Sequence, residues 1–133
     1  MMKLGIHEGM TIVVLHSPGH LESLLGPLPR DVTLRHNLRQ GLRCDMLIGF
    51  VTERTHLARN LPRLLEGLPR EGILWIAWPK KASGIPNDMS DNAVRGLILP
   101  TGWVDTKVCA IDDTWSALKF VLRRELRSGR RQP

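Results

Sequence analysis

With 133 residues and 42% apolar content, the chain is sized for one domain with a sizeable core. Its longest apolar runs are only strand-length, which excludes a membrane-spanning helix. The formal net charge of +6 is concentrated: residues 123–133 hold Arg123, Arg124, Arg127, Arg130 and Arg131 against Glu125, so +4 of it lies there and a globally basic surface is excluded.

The expected organisation is a single α/β domain over residues 1–124 and a basic, flexible tail over 125–133. The run Arg123 to Arg131 reads either as solvated chain or as a patch for nucleic-acid phosphates, and no aromatic residue is interleaved with it to stack on bases. Met1-Met2-Lys3-Leu4-Gly5 lacks the apolar stretch of a signal peptide, so a cytoplasmic location and no membrane partner are expected. Cys44 and Cys109 are too few for a disulfide framework and too far apart for a paired-thiol motif, and they read as reduced, buried thiols.

Thr11-Ile12-Val13-Val14-Leu15 is the first strand, and its unbroken apolar run implies burial on both faces, as in a central parallel strand. Leu21, Leu24 and Leu25 then share a face of a short helix over 20–25. Residues 31–35 alternate in polarity and predict an exposed strand near a sheet edge, followed by polar loop or poor helix over 37–43. A third, buried strand is expected over 44–51. A helix over 53–68 follows, with Leu57, Leu61, Leu64, Leu65 and Leu68 at helical spacing and a kink or restart at Pro62.

The fourth strand, 73–78, is the longest apolar run and stops at Pro79-Lys80-Lys81-Ala82-Ser83-Gly84. The caps in 87–91 open a short helix carrying Ala93, Val94, Leu97 and Ile98. Strands over 103–111 and 116–124 complete the chain. Their connection is too short for a parallel crossover, so they form an antiparallel hairpin.

This alternation predicts a doubly wound, Rossmann-like, mainly parallel sheet with a C-terminal antiparallel hairpin. With the first and fourth strands adjacent, the ligand crevice would fall between Ser17-Pro18-Gly19-His20 and the lysine loop. Lys80, Lys81, Ser83 and Gly84 read as an anion cradle of ammonium, hydroxyl and inward-pointing N–H groups, or else as an ordinary solvated loop. Ser17, Gly19 and His20 would face it. Asp112 and Trp115 would neighbour it, the aspartate binding a ligand hydroxyl or capping a turn, the tryptophan stacking or filling core. A nucleophilic Ser83 lacks supporting groups, His16 and His20 lack a third metal ligand, and His7, His36 and His56 carry no partner pattern.

Several stretches carry a resemblance: Leu4-Gly5-Ile6 with Gly9-Met10, Leu25-Gly26-Pro27-Leu28-Pro29, Trp78-Pro79-Lys80-Lys81-Ala82-Ser83-Gly84, Lys107-Val108-Cys109-Ala110, Thr114-Trp115-Ser116 and Leu118-Lys119-Phe120. On these the chain resembles a small bacterial family, domain of unknown function 3052, whose members look like trimmed class I S-adenosylmethionine-dependent methyltransferases. The resemblance implies the fold and no particular activity. Enzymes of that class cradle S-adenosylmethionine with a glycine-rich turn after the first strand and hold its ribose with an acid ending the second. Here the turn is His16-Ser17-Pro18-Gly19-His20, and the second strand ends Thr33-Leu34-Arg35-His36-Asn37 without an acid, a pair better suited to phosphate. The expected function is therefore a non-catalytic module for a small anion or phosphorylated metabolite. The alternatives are a diverged methyltransferase and a protein or nucleic-acid interaction module.

Overall fold

The computed structural model describes residues 5–16, 27–36, 44–111 and 114–124. The expected helix over 20–25, the polar segment 37–43 and the tail 125–133 lie outside them. Six strands form one sheet: β1 (Thr11–Leu15), β2 (Thr33–Arg35), β3 (Met46–Phe50), β4 (Ile73–Pro79), β5 (Trp103–Ala110) and β6 (Trp115–Leu122), in the order β2-β1-β3-β4-β6-β5. The first four run parallel, and β6 is antiparallel to both β4 and β5. Helix α1 (Arg54–Glu66) follows β3, and α2 (Asp91–Ile98) follows β4.

The apolar runs become inner strands because they can be covered on both sides. Every residue of β3 is buried, and so is all of β4 after Ile73. In β2, by contrast, Thr33 and Arg35 are exposed, as suits its place at one edge of the sheet. The adjacency expected between the first and fourth strands is corrected: β3 stands between them, paired Val13 to Leu47 on one side and Leu47 to Leu74 on the other. A strand with no exposed position needs a neighbour at each edge, and β3 meets that need better than any other.

One face of the sheet offers Val13, Leu47, Leu74, Ile76, Leu118 and Phe120 to Leu57, Leu61 and Leu64 of α1 and to Val94 and Ile98 of α2. Among the described residues both α-helices lie on this face. The other face holds Ile12, Val14, Ile48, Phe50, Trp75, Ala77 and Trp115, together with Ile6. Trp75 is fully buried there. Burying an aromatic or branched side chain of this kind contributes roughly 1.5–3 kcal/mol, so the two clusters dominate the favourable side of folding.

Helix α1 continues through Pro62 without the restart that was one of the two outcomes expected there. The proline ring is exposed, while Leu61 and Leu64 on either side of it are buried, so packing holds the helix across the missing N–H. Helix α2 begins where its caps predict, the Ser90 hydroxyl accepting from the Ala93 N–H at 3.1 Å. It ends in a 3₁₀ turn over Leu99–Thr101 closed by Gly102 at φ 99°, a left-handed conformation that glycine adopts freely. Cys44 and Cys109 are both buried and free. Among the described residues no helix is long and apolar enough to cross a membrane.

Candidate functional site

The strand order reverses between β1 and β3, β2 lying to one side of β1 and β4 to the far side of β3. In open α/β sheets this reversal opens a crevice at the carboxyl ends of the two strands. It therefore lies one strand away from where the β1–β4 pairing would have put it. The expected loop residues Ser17, Gly19 and His20 are outside the described residues. What is described at this rim is rich in imidazole and cationic groups. β1 runs into His16, held at φ 57°, a region that non-glycine residues seldom occupy. Its ring meets that of His56, on the first turn of α1, edge-on with centroids 4.9 Å apart. β2 ends in exposed Arg35 and His36. No sequence pattern links His16 to His56, forty positions away. Only the crossover from β3 into α1 brings them together.

Past β3 the loop is tied to the chain beyond β4. The Arg54 N–H donates to Asp88 Oδ1 at 2.8 Å and its Nε to the Asp88 carbonyl at 2.6 Å, while the Asp88 N–H donates to the Thr52 carbonyl at 3.2 Å. These bonds fix the loop after β4 against the start of α1.

The lysine loop is a 3₁₀ turn over Lys81–Ser83 that ends at Gly84 with φ 78°. Ser83 and Gly84 shape this turn from within. The Ser83 hydroxyl donates to the Lys80 carbonyl at 2.7 Å and accepts from the Ile85 N–H at 3.1 Å. The N–H groups of Ser83 and Gly84 donate to the carbonyls of Lys80 and Lys81 at 3.0 and 3.3 Å. The hydroxyl and amides that the sequence offered to an anion are thus already engaged. Lys80 is anchored through its own N–H, which donates to the Thr114 carbonyl at 2.7 Å.

Lys80 and Lys81 instead border a groove of about 330 Å³, lined also by Trp78, Met89, Ser90, Asp91, Val108 and Ser116. Neither lysine is in an ion pair among the described residues. Asp91 is neutralised by Arg95 at 3.2 Å, and the same guanidinium reaches Asp105 at 3.0 Å. The hydrogen bond to Asp105 is the chief cause that raises the pKa of Arg95.

Trp115 lies elsewhere. β4 and β6 pair Trp78 with Ser116 and Pro79 with Trp115, so the two tryptophans are on opposite faces and Trp115 packs edge-on against Phe50 at 5.0 Å. It belongs to the core, and Ser116 takes the groove position. Asp112 and Asp113 are outside the described residues. Among the described residues no group of three or more His, Cys, Asp or Glu side chains is placed to hold a metal ion.

No family model matches the chain. No curated protein matches it by sequence. Solved structures do match in fold. A methyltransferase from Aquifex aeolicus, dependent on S-adenosylmethionine, is 14% identical at a TM-score of 0.62, over 88% of this chain and 84% of that one. Fibrillarin from Aeropyrum pernix, in complex with S-adenosylmethionine, is 15% identical at 0.57, over 91% and 70%. The magnesium protoporphyrin IX methyltransferase of Synechocystis is 12% identical at 0.58, over 87% and 71%. The chain has a Rossmann-like, methyltransferase-like fold, with parallel strands and a C-terminal antiparallel hairpin.

Proposed function

We propose that the chain is a diverged S-adenosylmethionine-dependent methyltransferase domain that takes its ligand in the crevice between the carboxyl ends of β1 and β3. The observation that carries this reading is the sheet order with its one reversal, in a fold whose neighbours are methyltransferases over most of the chain. Membership of the family called domain of unknown function 3052 is part of the same proposal.

The residues described at the crevice do not fit the usual donor contacts. Arg35 and His36 stand where a carboxylate would hold the ribose hydroxyls, so no step of methyl transfer is assigned to any side chain. This motivates a direct test. Replacing His36 by Asp returns an acid to the end of β2, and a site descended from a donor pocket should then bind the donor about tenfold more tightly, the gain of one or two charge-assisted hydrogen bonds. Equal or weaker affinity in His36→Asp would count against this origin.

A second reading, a non-catalytic module for a small anion, is favoured by the same Arg35 and His36 and by the unpaired lysines after β4. Thermal shifts with inorganic phosphate and none with the donor would select it, since a ligand at ~100 times its dissociation constant adds roughly 2.7 kcal/mol to the native state.

A further inference from the structure

We propose that the groove between the lysine loop, the start of α2 and the β5–β6 hairpin is a second binding site, for a small phosphorylated molecule with an apolar, ring-sized body. It goes beyond the donor reading and does not rest on it, because the groove lies at the end of β4 and the donor crevice at β1 and β3.

Two kinds of surface meet in this groove. Its polar side has the ammonium groups of Lys80 and Lys81 and the hydroxyl of Ser116, which has no side-chain partner among the described residues. The one carboxylate on the rim, Asp91, is held by Arg95. The balance of free charge is therefore positive. Lysine ammonium groups act as point charges that suit the three oxygens of a phosphate, whereas planar, bidentate recognition of a carboxylate is the work of arginine. The nearby arginine, Arg95, already has both of its carboxylate partners in Asp91 and Asp105.

Its apolar side is Trp78, Met89 and Val108. Val108 is 62% exposed, the highest value among the described large apolar residues. A bulge between Asp105 and Lys107 puts it there. Before the bulge Trp103 and Asp105 pair with Leu122 and Phe120, and after it Val108 pairs with Leu118, so Val108 is turned onto the same face as Trp78 and Ser116 while Cys109 is turned into the core. Bulges commonly re-aim a side chain in this way beside a site. A volume of about 330 Å³ falls at the small end of ligand pockets, enough for one ring and its phosphate.

The test is an amide NMR titration of the whole chain with phenyl phosphate, inorganic phosphate and benzoate in parallel. The proposal expects saturable shifts at Lys81, Val108 and Ser116, with phenyl phosphate bound about tenfold more tightly than either of the other two. The double variant Lys80→Gln, Lys81→Gln should weaken phenyl phosphate by at least about tenfold while its ligand-free melting temperature stays unchanged. Ser116→Ala should weaken it severalfold, and Val108→Thr should narrow the advantage over inorganic phosphate. Benzoate binding as tightly as phenyl phosphate, unaltered affinity in the double variant, or no saturation at ~10 mM would overturn the proposal. Titration of the methyl donor reports on the other crevice, so either reading can fail while the other stands.

Discussion

Cys44 sits at the mouth of β3, 3% exposed, with its thiol directed at the Gly67 carbonyl at 3.7 Å. Burial pushes its pKa from 9.0 up to about 11, the Asp45 carboxylate adds to the rise, and a backbone hydrogen bond from Val13 opposes it. The unfolded chain releases this proton near pH 9 and the native chain keeps it to about 11. Between those values the unfolded state binds fewer protons, so stability falls as pH rises, by on the order of 2 kcal/mol in all. Urea midpoints at pH 8 and pH 11 should therefore differ less in Cys44→Ser than in the parent, and an identical difference would show that the thiol is not the cause. The absence of tyrosine from the chain simplifies the comparison. A second residue-scale prediction concerns Lys107, which the register sets directly opposite Lys119. Like charges so placed repel, and Lys107→Glu should raise the melting temperature through a gain of roughly 0.2–1 kcal/mol. A lowered value would mean that another group already neutralises the pair.

At the scale of elements, α1 shows packing overriding a local rule. Pro62 removes one N–H from the helix interior, and an interior proline costs about 3 kcal/mol in an isolated helix. Because Pro62 is exposed, Pro62→Ala should stabilise the protein by about 1–3 kcal/mol, seen as a higher urea midpoint with an unchanged slope. An unchanged or lower midpoint would show that the helix has already relaxed around the proline. The strands themselves were legible from residue pattern. The unbroken apolar runs of β1, β3 and β4 announced burial on both faces, the caps in 87–91 announced the start of α2, and the short link after β5 announced a hairpin. The bulge at Asp105 and Lys107 was not legible. A one-residue change of register leaves no trace in composition, yet it decides which of Val108 and Cys109 faces the groove.

For the whole molecule, the limit of sequence reading is long-range order. Which strand stands beside which depends on contacts between residues dozens of positions apart. Apolar periodicity reports only whether a strand is covered, so β3 between β1 and β4 could not be read in advance. The candidate site divides accordingly. Lys80 and Lys81 were visible as a cationic loop ending a buried strand, whereas the core position of Trp115 and the meeting of His16 with His56 come from tertiary structure alone. Placing the reversal of strand order between β1 and β3 moves the donor question to a defined crevice, apart from the lysine groove. Isothermal titration of the intact chain with S-adenosylmethionine and with its demethylated product addresses that question most directly. Saturable one-to-one heat with at least one of them is expected, and no heat from either at ~1 mM would rule out a donor site in this chain.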